Sequence, residues 1–539
     1  MKKTTTFYTY ILFVMTLIGF TSCKEDFLER PPQDALTDGT FFNTGDELLL
    51  ATAPLYNKVW FDYNDKASFG IGDARGGNMI SNDYDPFYKF AVPASNNQVI
   101  EAWKSFYSVI AQSNMVIYNV NNRAAASVPA LYKKHAIGEA RFMRGLAYAY
   151  LVRNWGAVPI IDNNVKQLTD TSIARNTVSS VWEFVIRDLR YAAQNLPATS
   201  LQTGRINKYS AEGMLAKMYL TRAGVKAVGG IRDKTDLDSA KYYAKDVILN
   251  GPFKMMANYA DLFKLENKNN DEALFALRWT LMKSDFSDFG VQNTFQAYMA
   301  ADTKITGSWD GWGGAHGASA DYLKSVDPAD SIRRKATFMM YNDRYTELVK
   351  NEGGYTFTST NVANIKKYII GSPVDNGEGG PMNTAMCTYM MRLPELYLIY
   401  AEAILGDNTS TSDAEALKYF NAVRTRAKMP TKTAITFDDI FKEKRVECAM
   451  EGNYWYELVR LYYFNPTKAK AIISAQDKGS YSVAIEAGTG TSASNPRKFK
   501  ITYSNQTYKV DDSTFWIPYP ESEMAKAPNL RKTPVDYKF

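Results

Sequence analysis

Apolar positions recur at helical spacing over much of this chain. In residues 103–120 they fall at Trp103, Phe106, Val109 and Ile110; in 131–155, Ala136, Ala140, Met143, Ala147 and Leu151 make one stripe. Residues three, four and seven apart share a face of a helix, so each segment predicts an amphipathic helix. Gly156 and Pro159 end the second, as helix-breaking residues do. The same pattern predicts helices at 179–196 (closed by Pro197), at 209–223, and at 239–249 (stopped by Asn250-Gly251-Pro252). From 253 to 390 it gives way to loops with short strand-like runs at 273–279 and 366–370. Glycines gather there in Gly311-Trp312-Gly313-Gly314 and Gly377-Glu378-Gly379-Gly380. Helices resume at 393–405, 413–428 and 437–464, ahead of a polar, Ser/Thr/Gly-rich stretch at 473–514.

Two helical hairpins repeat one arrangement. Ala240, Tyr243 and Val247 match Ala416, Tyr419 and Val423, and each set follows a helix rich in small residues and Tyr. Alternating small and large residues on paired helices is how tetratricopeptide hairpins nest, although a generic helical bundle has the same periodicity.

The first residues follow another logic. Lys2 and Lys3, an apolar run from Phe7 to Phe20, and the small Thr21 and Ser22 make up a secretory leader at 1–22. The run is shorter than the roughly 20 apolar residues of a membrane span. Cys23 directly after the small residues reads as a lipoprotein junction whose thiol is acylated, with residues 23–30 as the lipidated tether. Lys24-Glu25-Asp26 resembles a signal that directs lipoproteins to the outer face of the outer membrane.

Composition narrows the function classes. Apolar residues make up 45% and charged residues 22% of the 539, enough for an ordinary globular core. Aromatics reach 14%, and 36 of them are Tyr, whose flat face and polar rim suit wet interfaces and sugar rings. The formal charge of +6 is spread along the chain and leaves no nucleic-acid footprint. With Cys23 acylated, only Cys387 and Cys448 keep thiols. That excludes a disulfide scaffold and leaves a single bridge open. His135 and His316 stand far apart, and no His/Cys group has zinc spacing.

Motifs that tempt an enzymatic reading have a simpler one. Glu447 and Glu451 are four apart on one predicted helical face, whereas a sugar-cleaving pair must flank a substrate in a cleft. Structural ion pairing with Arg445, Arg460, Arg424 or Arg426 fits better, and Glu139, Arg141 and Arg144 read the same way. Neither a nucleophile elbow nor a triad context for either His is present. Gly72 to Gly77 lacks the Lys-Ser/Thr of a phosphate cradle and reads as a turn. Asp83-Tyr84-Asp85 lacks calcium-loop spacing, which leaves calcium open and no metal site assigned.

Six ordered blocks resemble the SusD/RagB family of outer-membrane nutrient-binding lipoproteins. They begin with Pro31-Pro32, Leu36-Thr37-Asp38 and Phe41-Phe42-Asn43, then Glu139-Ala140-Arg141-Phe142 through Trp155-Gly156-Ala157-Val158-Pro159. Arg205-Ile206-Asn207-Lys208 with Leu215-Ala216-Lys217-Met218-Tyr219 follows, and next Arg392-Leu393-Pro394-Glu395-Leu396-Tyr397 through Asn421-Ala422-Val423-Arg424. Glu447, Glu451-Gly452 and Leu458-Val459-Arg460, and finally Ile517-Pro518 with 529–537, complete the set. Tyr454, Glu457 and Lys532-Thr533-Pro534 depart from the family's usual residues, at scaffold positions that carry no information about ligand. The resemblance implies a mostly α fold: about four tetratricopeptide-like helix pairs with a loop-rich second part folded over them. It implies one such domain over 31–539, with the scaffold mainly at 100–252 and 392–465 and the ligand-binding part mainly at 65–95 and 253–390. It also implies a partner, a SusC-like TonB-dependent transporter in the outer membrane, over which the lipoprotein acts as a lid that delivers oligosaccharide.

Sugars are held by stacking on aromatic rings, with polar side chains pairing to hydroxyls, on loops laid over a rigid scaffold. Two regions qualify. One supplies Asp73, Arg75, Asn78, Asn82, Asp83, Tyr84 and Phe87; the other supplies Tyr298, Trp309 and Trp312, with Gln292, Asn293 and Asp310 nearby. Trp103, Trp155, Trp182 and Trp455 lie on helical stripes and are expected in the core, and Trp279 and Trp516 are expected to pack. The expectation is a non-enzymatic cell-surface lipoprotein of a Gram-negative bacterium that binds an oligosaccharide, without a cofactor. The competing classes are a lipid-anchored glycoside hydrolase and a helical-repeat protein that binds peptide or protein.

Overall fold

The computed structural model describes residues 41–167, 172–490 and 497–539; the expected leader, Cys23 and the tether lie outside them. Helices α1 (Asn97–Arg123), α2 (Ala130–Trp155), α3 (Val178–Asn195), α4 (Lys208–Val225) and α5 (Lys234–Asn250) come first. Helices α6 (Leu393–Leu405), α7 (Ala414–Arg426), α8 (Phe437–Glu447) and α9 (Tyr454–Phe464) follow the loop-rich part. Their starts are written in the sequence: Asn96, Thr177, Asn207, Asp233, Asp413 and Thr436 each accept a hydrogen bond from a first-turn N–H. Such caps satisfy amides that have no partner within the helix.

Neighbouring helices pack side by side, α1 on α2, α2 on α3, α3 on α4, α4 on α5, α5 on α6 and α6 on α7. The small-and-large pattern is the packing device. Ala240 and Val247 are buried, and Tyr243 stacks on Tyr219 at 5.8 Å between ring centres. Tyr419 packs on Tyr397 at 4.9 Å and on Tyr400 at 5.6 Å in the second hairpin. The fold is therefore mostly α and tetratricopeptide-like. Trp103, Trp155, Trp182, Trp279 and Trp455 are buried as expected, and Trp516 packs on Tyr462 and Tyr463.

Four local expectations need correction. The helix expected over 437–464 is two, α8 and α9, because Met450 and Gly452 adopt positive φ of 61° and 65° and turn the chain between them. The strand expected at 366–370 is absent: only Asn364–Ile365 is extended, the N–H groups of Lys366 and Lys367 both reach the Thr337 carbonyl, and Tyr368 has φ 69°. The polar stretch 473–514 contains an antiparallel pair, Tyr481–Ile485 with Phe499–Tyr503. Finally, Gly72 to Gly77 is only partly a turn, since Tyr63–Ala67 and Phe69–Ala74 are wide helical turns. Gly72 lies so close to Gly452 that a Cβ would stand 2.5 Å from its Cα, so glycine serves backbone packing here. Cys387 and Cys448 are both buried and free.

A buried ion network joins the loop-rich part to the helices. Arg392 donates to Glu272 at 2.7 Å, Glu447 at 2.8 Å and Glu451 at 2.6 Å. Arg426 pairs with Glu272 and Glu447, Arg333 with Glu447 and Glu443, and Lys367 with Glu451. Of the arginines expected to serve Glu447 only Arg426 does. Arg424 pairs with Glu443, Arg445 with Asp321, and Arg460 with Glu402 and Glu457. Glu139 likewise pairs with Arg205 and Tyr56, while Arg144 pairs with Asp188.

Burial alone would push the Glu447 carboxyl up, but Arg426, Arg392 and Arg333 outweigh it and hold it at about 2, against an ordinary 4.5. A carboxyl depressed on folding contributes stability above its unfolded value and loses it as pH falls toward the folded one. Denaturation of Glu447→Ala is expected to show a loss of about 3–5 kcal/mol, because three arginines lose a buried counter-charge. Wild-type stability should fall between pH about 4.5 and about 2, and this slope should shrink in Glu447→Gln. An unchanged denaturation midpoint in Glu447→Ala would contradict the role given to the network.

Candidate functional site

The two loop regions singled out in the sequence meet in space. Met79 pairs with Ala318 and Ile80 with Gly317 in an antiparallel ladder. Ser319 closes the seam: its N–H donates to the Asn78 carbonyl at 3.0 Å and its hydroxyl to the Gly77 carbonyl at 2.6 Å. Beyond this seam lie Asn82 and Asp83 on one side and the Tyr298–Trp312 loop on the other.

The exposed end of that loop is aromatic. Trp309 is 77% exposed and Trp312 41% exposed, with ring centres 5.7 Å apart. Tyr298, half-buried, continues the row at 5.4 Å from Trp312. Lys66 stands over the Tyr298 ring at 5.9 Å. The Trp312 N–H donates to the Ala297 carbonyl and the Gly313 N–H to the Ala300 carbonyl, which fixes the loop on the short helix Phe295–Met299. A Cβ on Gly313 would meet the Met299 backbone at 2.3 Å, so this glycine permits the close approach that presents Trp312. Asn364 secures the other side of the turn: its buried amide faces the carbonyls of Gly313 at 2.8 Å, Gly314 at 3.1 Å and His316 at 2.8 Å.

Polar groups border the row. His316 Nδ1 lies 2.7 Å from the Tyr298 carbonyl and Nε2 2.9 Å from Asp83 Oδ2. A carbonyl only accepts, so Nδ1 carries a hydrogen and the ring ties the Asp83 segment to the aromatic row. Asp310 is buried between Trp309 and Trp312, with no hydrogen-bond partner for Oδ1 among the described residues. Burial pushes its carboxyl up. Asp65 accepts from Thr294 at 2.5 Å and lies 3.5 Å from Lys66. Burial, with Asp65, Glu101 and Asp310 close by, pushes the Tyr298 hydroxyl well up.

Half of the expected site residues lie in the interior instead. Asp73 accepts from the Met450 and Gly452 N–H groups at the break between α8 and α9, and burial raises its carboxyl to about 6. Arg75 lies over the Trp455 ring and donates to the Thr514 carbonyl, while Asn78 accepts from Arg445. Tyr84 and Phe87 are buried against Gly70, and Tyr84 lies 5.9 Å from His316. These five are committed to packing and to satisfying buried polar groups, so they drop out of a surface site. Gln292 and Asn293 are also buried, paired with Gly290 and with Met386 and Thr388. Asn82, Asp83, Tyr298, Trp309 and Trp312 remain exposed or half-buried around one face. The sequence reading missed Lys66, Glu101, His316 and Asn364, which are brought to this face only by the fold.

A cleft of about 950 Å³ lies elsewhere, against Phe263, Lys264, Arg334, Tyr345 and Lys366. Phe263 and Tyr345 are buried there, so it offers no open ring face. The rings of the row are tilted by 52° from one to the next, and an exposed row needs no cavity to receive an extended chain. Among the described residues no three His, Cys, Asp or Glu converge as metal ligands, and no helix is long and apolar enough to cross a membrane. Asp83 and Asp85 are engaged by His316 and Lys89.

An open aromatic row bordered by hydrogen-bonding side chains, on a rigid helical scaffold, is the equipment of a carbohydrate-binding protein. The carboxylates that tempted a hydrolase reading, Glu447 and Glu451, are buried in ion pairs. The chain belongs to the SusD family, which matches residues 254–535, and a starch-binding family described as associating with the outer membrane matches 52–220. A SusD-like protein of Bacteroides ovatus is 37% identical over 545 residues, spanning 98% of each chain. A SusD-like protein of Formosa agariphila is 26% identical, over 84% of this chain and 90% of its own. A solved structure with xylogluco-oligosaccharide has a TM-score of 0.83 at 36% identity, covering 91% of this chain and 99% of that one. A laminarin binding SusD-like protein shares the fold, with a TM-score of 0.66 at 20% identity over 90% of this chain and 98% of its own. Members of the family are carbohydrate-binding proteins associated with the outer membrane, not enzymes.

Asn364→Ala leaves three turn carbonyls without their shared donor, at a cost of about 1–3 kcal/mol. The expected outcome is a changed near-ultraviolet dichroism of Trp312 and weaker carbohydrate binding, although Asn364 itself is buried. Unaltered dichroism and binding would show that the turn holds without it.

Proposed function

We propose that this chain is a cell-surface lipoprotein of a Gram-negative bacterium, tethered to the outer membrane through Cys23. It binds an oligosaccharide on the Trp309–Trp312–Tyr298 row and delivers it to a SusC-like TonB-dependent transporter, for which it is the lid. The observation that carries the reading is the exposure of Trp309 and Trp312, 5.7 Å apart, on a loop pinned to the scaffold. Exposed rings at that spacing lose water poorly on their own and gain by covering the apolar faces of successive sugars. Asn82, Asp83 and Asp310 stand where hydroxyls of a bound chain would need partners. A similar structure holds a xylogluco-oligosaccharide, which makes that glycan the first probe. The junction at Cys23, the Lys24-Glu25-Asp26 that follows it, and family membership support the location and the transporter.

Calorimetric titration of residues 24–539 with xylogluco-oligosaccharide and laminarin oligosaccharides tests the binding step. Trp309→Ala and Trp312→Ala are each expected to weaken binding by at least about tenfold, as loss of a central aromatic anchor does. Binding that survives both changes would contradict the site. Replacing Cys23 by Ser in the full chain is expected to move the protein from the membrane to the soluble fraction; unchanged membrane fractionation would contradict the anchor.

A further inference from the structure

We propose that the aromatic row accepts uncharged glycans and rejects those carrying carboxylate or sulfate groups, an inference that rests on the row being the ligand site. Its border is acidic. Asp62 and Asp65 lie on the turn of helix beneath Lys66, Glu101 on the first turns of α1, Asp310 between the two tryptophans, and Asp83 beside His316. Against these five carboxylates stand Lys66, 3.5 Å from Asp65, and Lys104, 3.3 Å from Asp62, with the His316 ring on Asp83.

Glu101 and Asp310 are two of the groups with acceptor capacity left over. Asp310 Oδ1 has no partner among the described residues, and its carboxyl is raised by burial. Glu101 is half-buried; burial foremost, then Asp62 and Asp65, push its carboxyl up against the pull of Lys66 and Lys104. Two such acceptors suit donors, and a sugar hydroxyl is a neutral donor whose bond to a carboxylate is strengthened by charge. A uronate or sulfate in the same position brings a second negative charge into a partly desolvated setting, where repulsion is poorly screened.

Around the 950 Å³ cleft, by contrast, basic residues outnumber acidic ones. Lys264, Lys268, Arg334, Lys335, Arg344, Lys350 and Lys366 line it, against Glu266, Glu347, Asp375 and Glu378. The charge balance there favours an anionic group, the reverse of the balance at the row.

The test uses one glycan in two charge states: xylogluco-oligosaccharide, and the same oligosaccharide with its primary hydroxyls oxidised to carboxylates. Both are titrated into wild type, Trp309→Ala and the double variant Glu101→Gln, Asp310→Asn, at low and at physiological salt. The oxidised form is expected to bind wild type at least about tenfold more weakly than the neutral form at low salt. That gap should narrow as salt screens the carboxylates and narrow again in the double variant. Equal affinity for both forms at low salt, with both lost in Trp309→Ala, would overturn the charge selectivity while leaving the site standing. Neutral binding that is unmoved by Trp309→Ala would instead remove the row as the site, and this inference with it.

Discussion

The molecule depends on a charge placed where charge is costly. Arg392 ends the strand that leads from the loop-rich part into α6, fully buried, and Glu272, Glu447 and Glu451 converge on it. Against well-packed apolar residues such a network adds little net stability, yet any arrangement that separates its members strands a charge in the interior. It therefore works less as glue than as a register. The loop-rich part supplies Arg333, Lys367, Glu272 and Arg392, the helices and the break between α8 and α9 supply Arg426, Glu447 and Glu451, and this docking satisfies all of them.

The proposed binding face is built outward from that joint. Glu451 fixes Lys367 at 2.6 Å, and three residues earlier Asn364 faces the carbonyls of the Gly313–His316 turn that presents Trp312. The same break between α8 and α9 receives Asp73, which holds the helical turns carrying Lys66 and leads into the ladder beside Asp83. The exposed rings are thus seated on buried polar contacts and not on a loose surface loop. Rigid rings make better platforms, because little side-chain freedom remains to be lost when a ligand settles.

The sequence made the scaffold readable for a local reason. Caps, apolar stripes and terminating Gly and Pro act within a turn or two of the residue concerned, as at Asn207 and Gly156. Trp309 and Trp312 stood out because no stripe claimed them. The rest was set by contacts distant in the chain. Gly72 read as part of a turn, but its missing side chain admits Gly452, as that of Gly70 admits Tyr84 and Phe87, and the polar residues around them were carried into the interior. His316 had no motif around it, and its role appears only when Asp83 is brought to 2.9 Å. Glu447 was read correctly as structural, while its partners Arg392 and Arg333 were missed because helical spacing cannot reveal a partner on another part of the fold.

The most direct measurement is a crystal structure of residues 24–539 soaked with xylogluco-oligosaccharide. The account predicts successive sugar rings lying on Trp309 and Trp312, with hydroxyls directed at Asp310, Asp83 and Glu101. Sugar density in the cleft beside Lys366 and Tyr345, with the tryptophan faces bare, would contradict it.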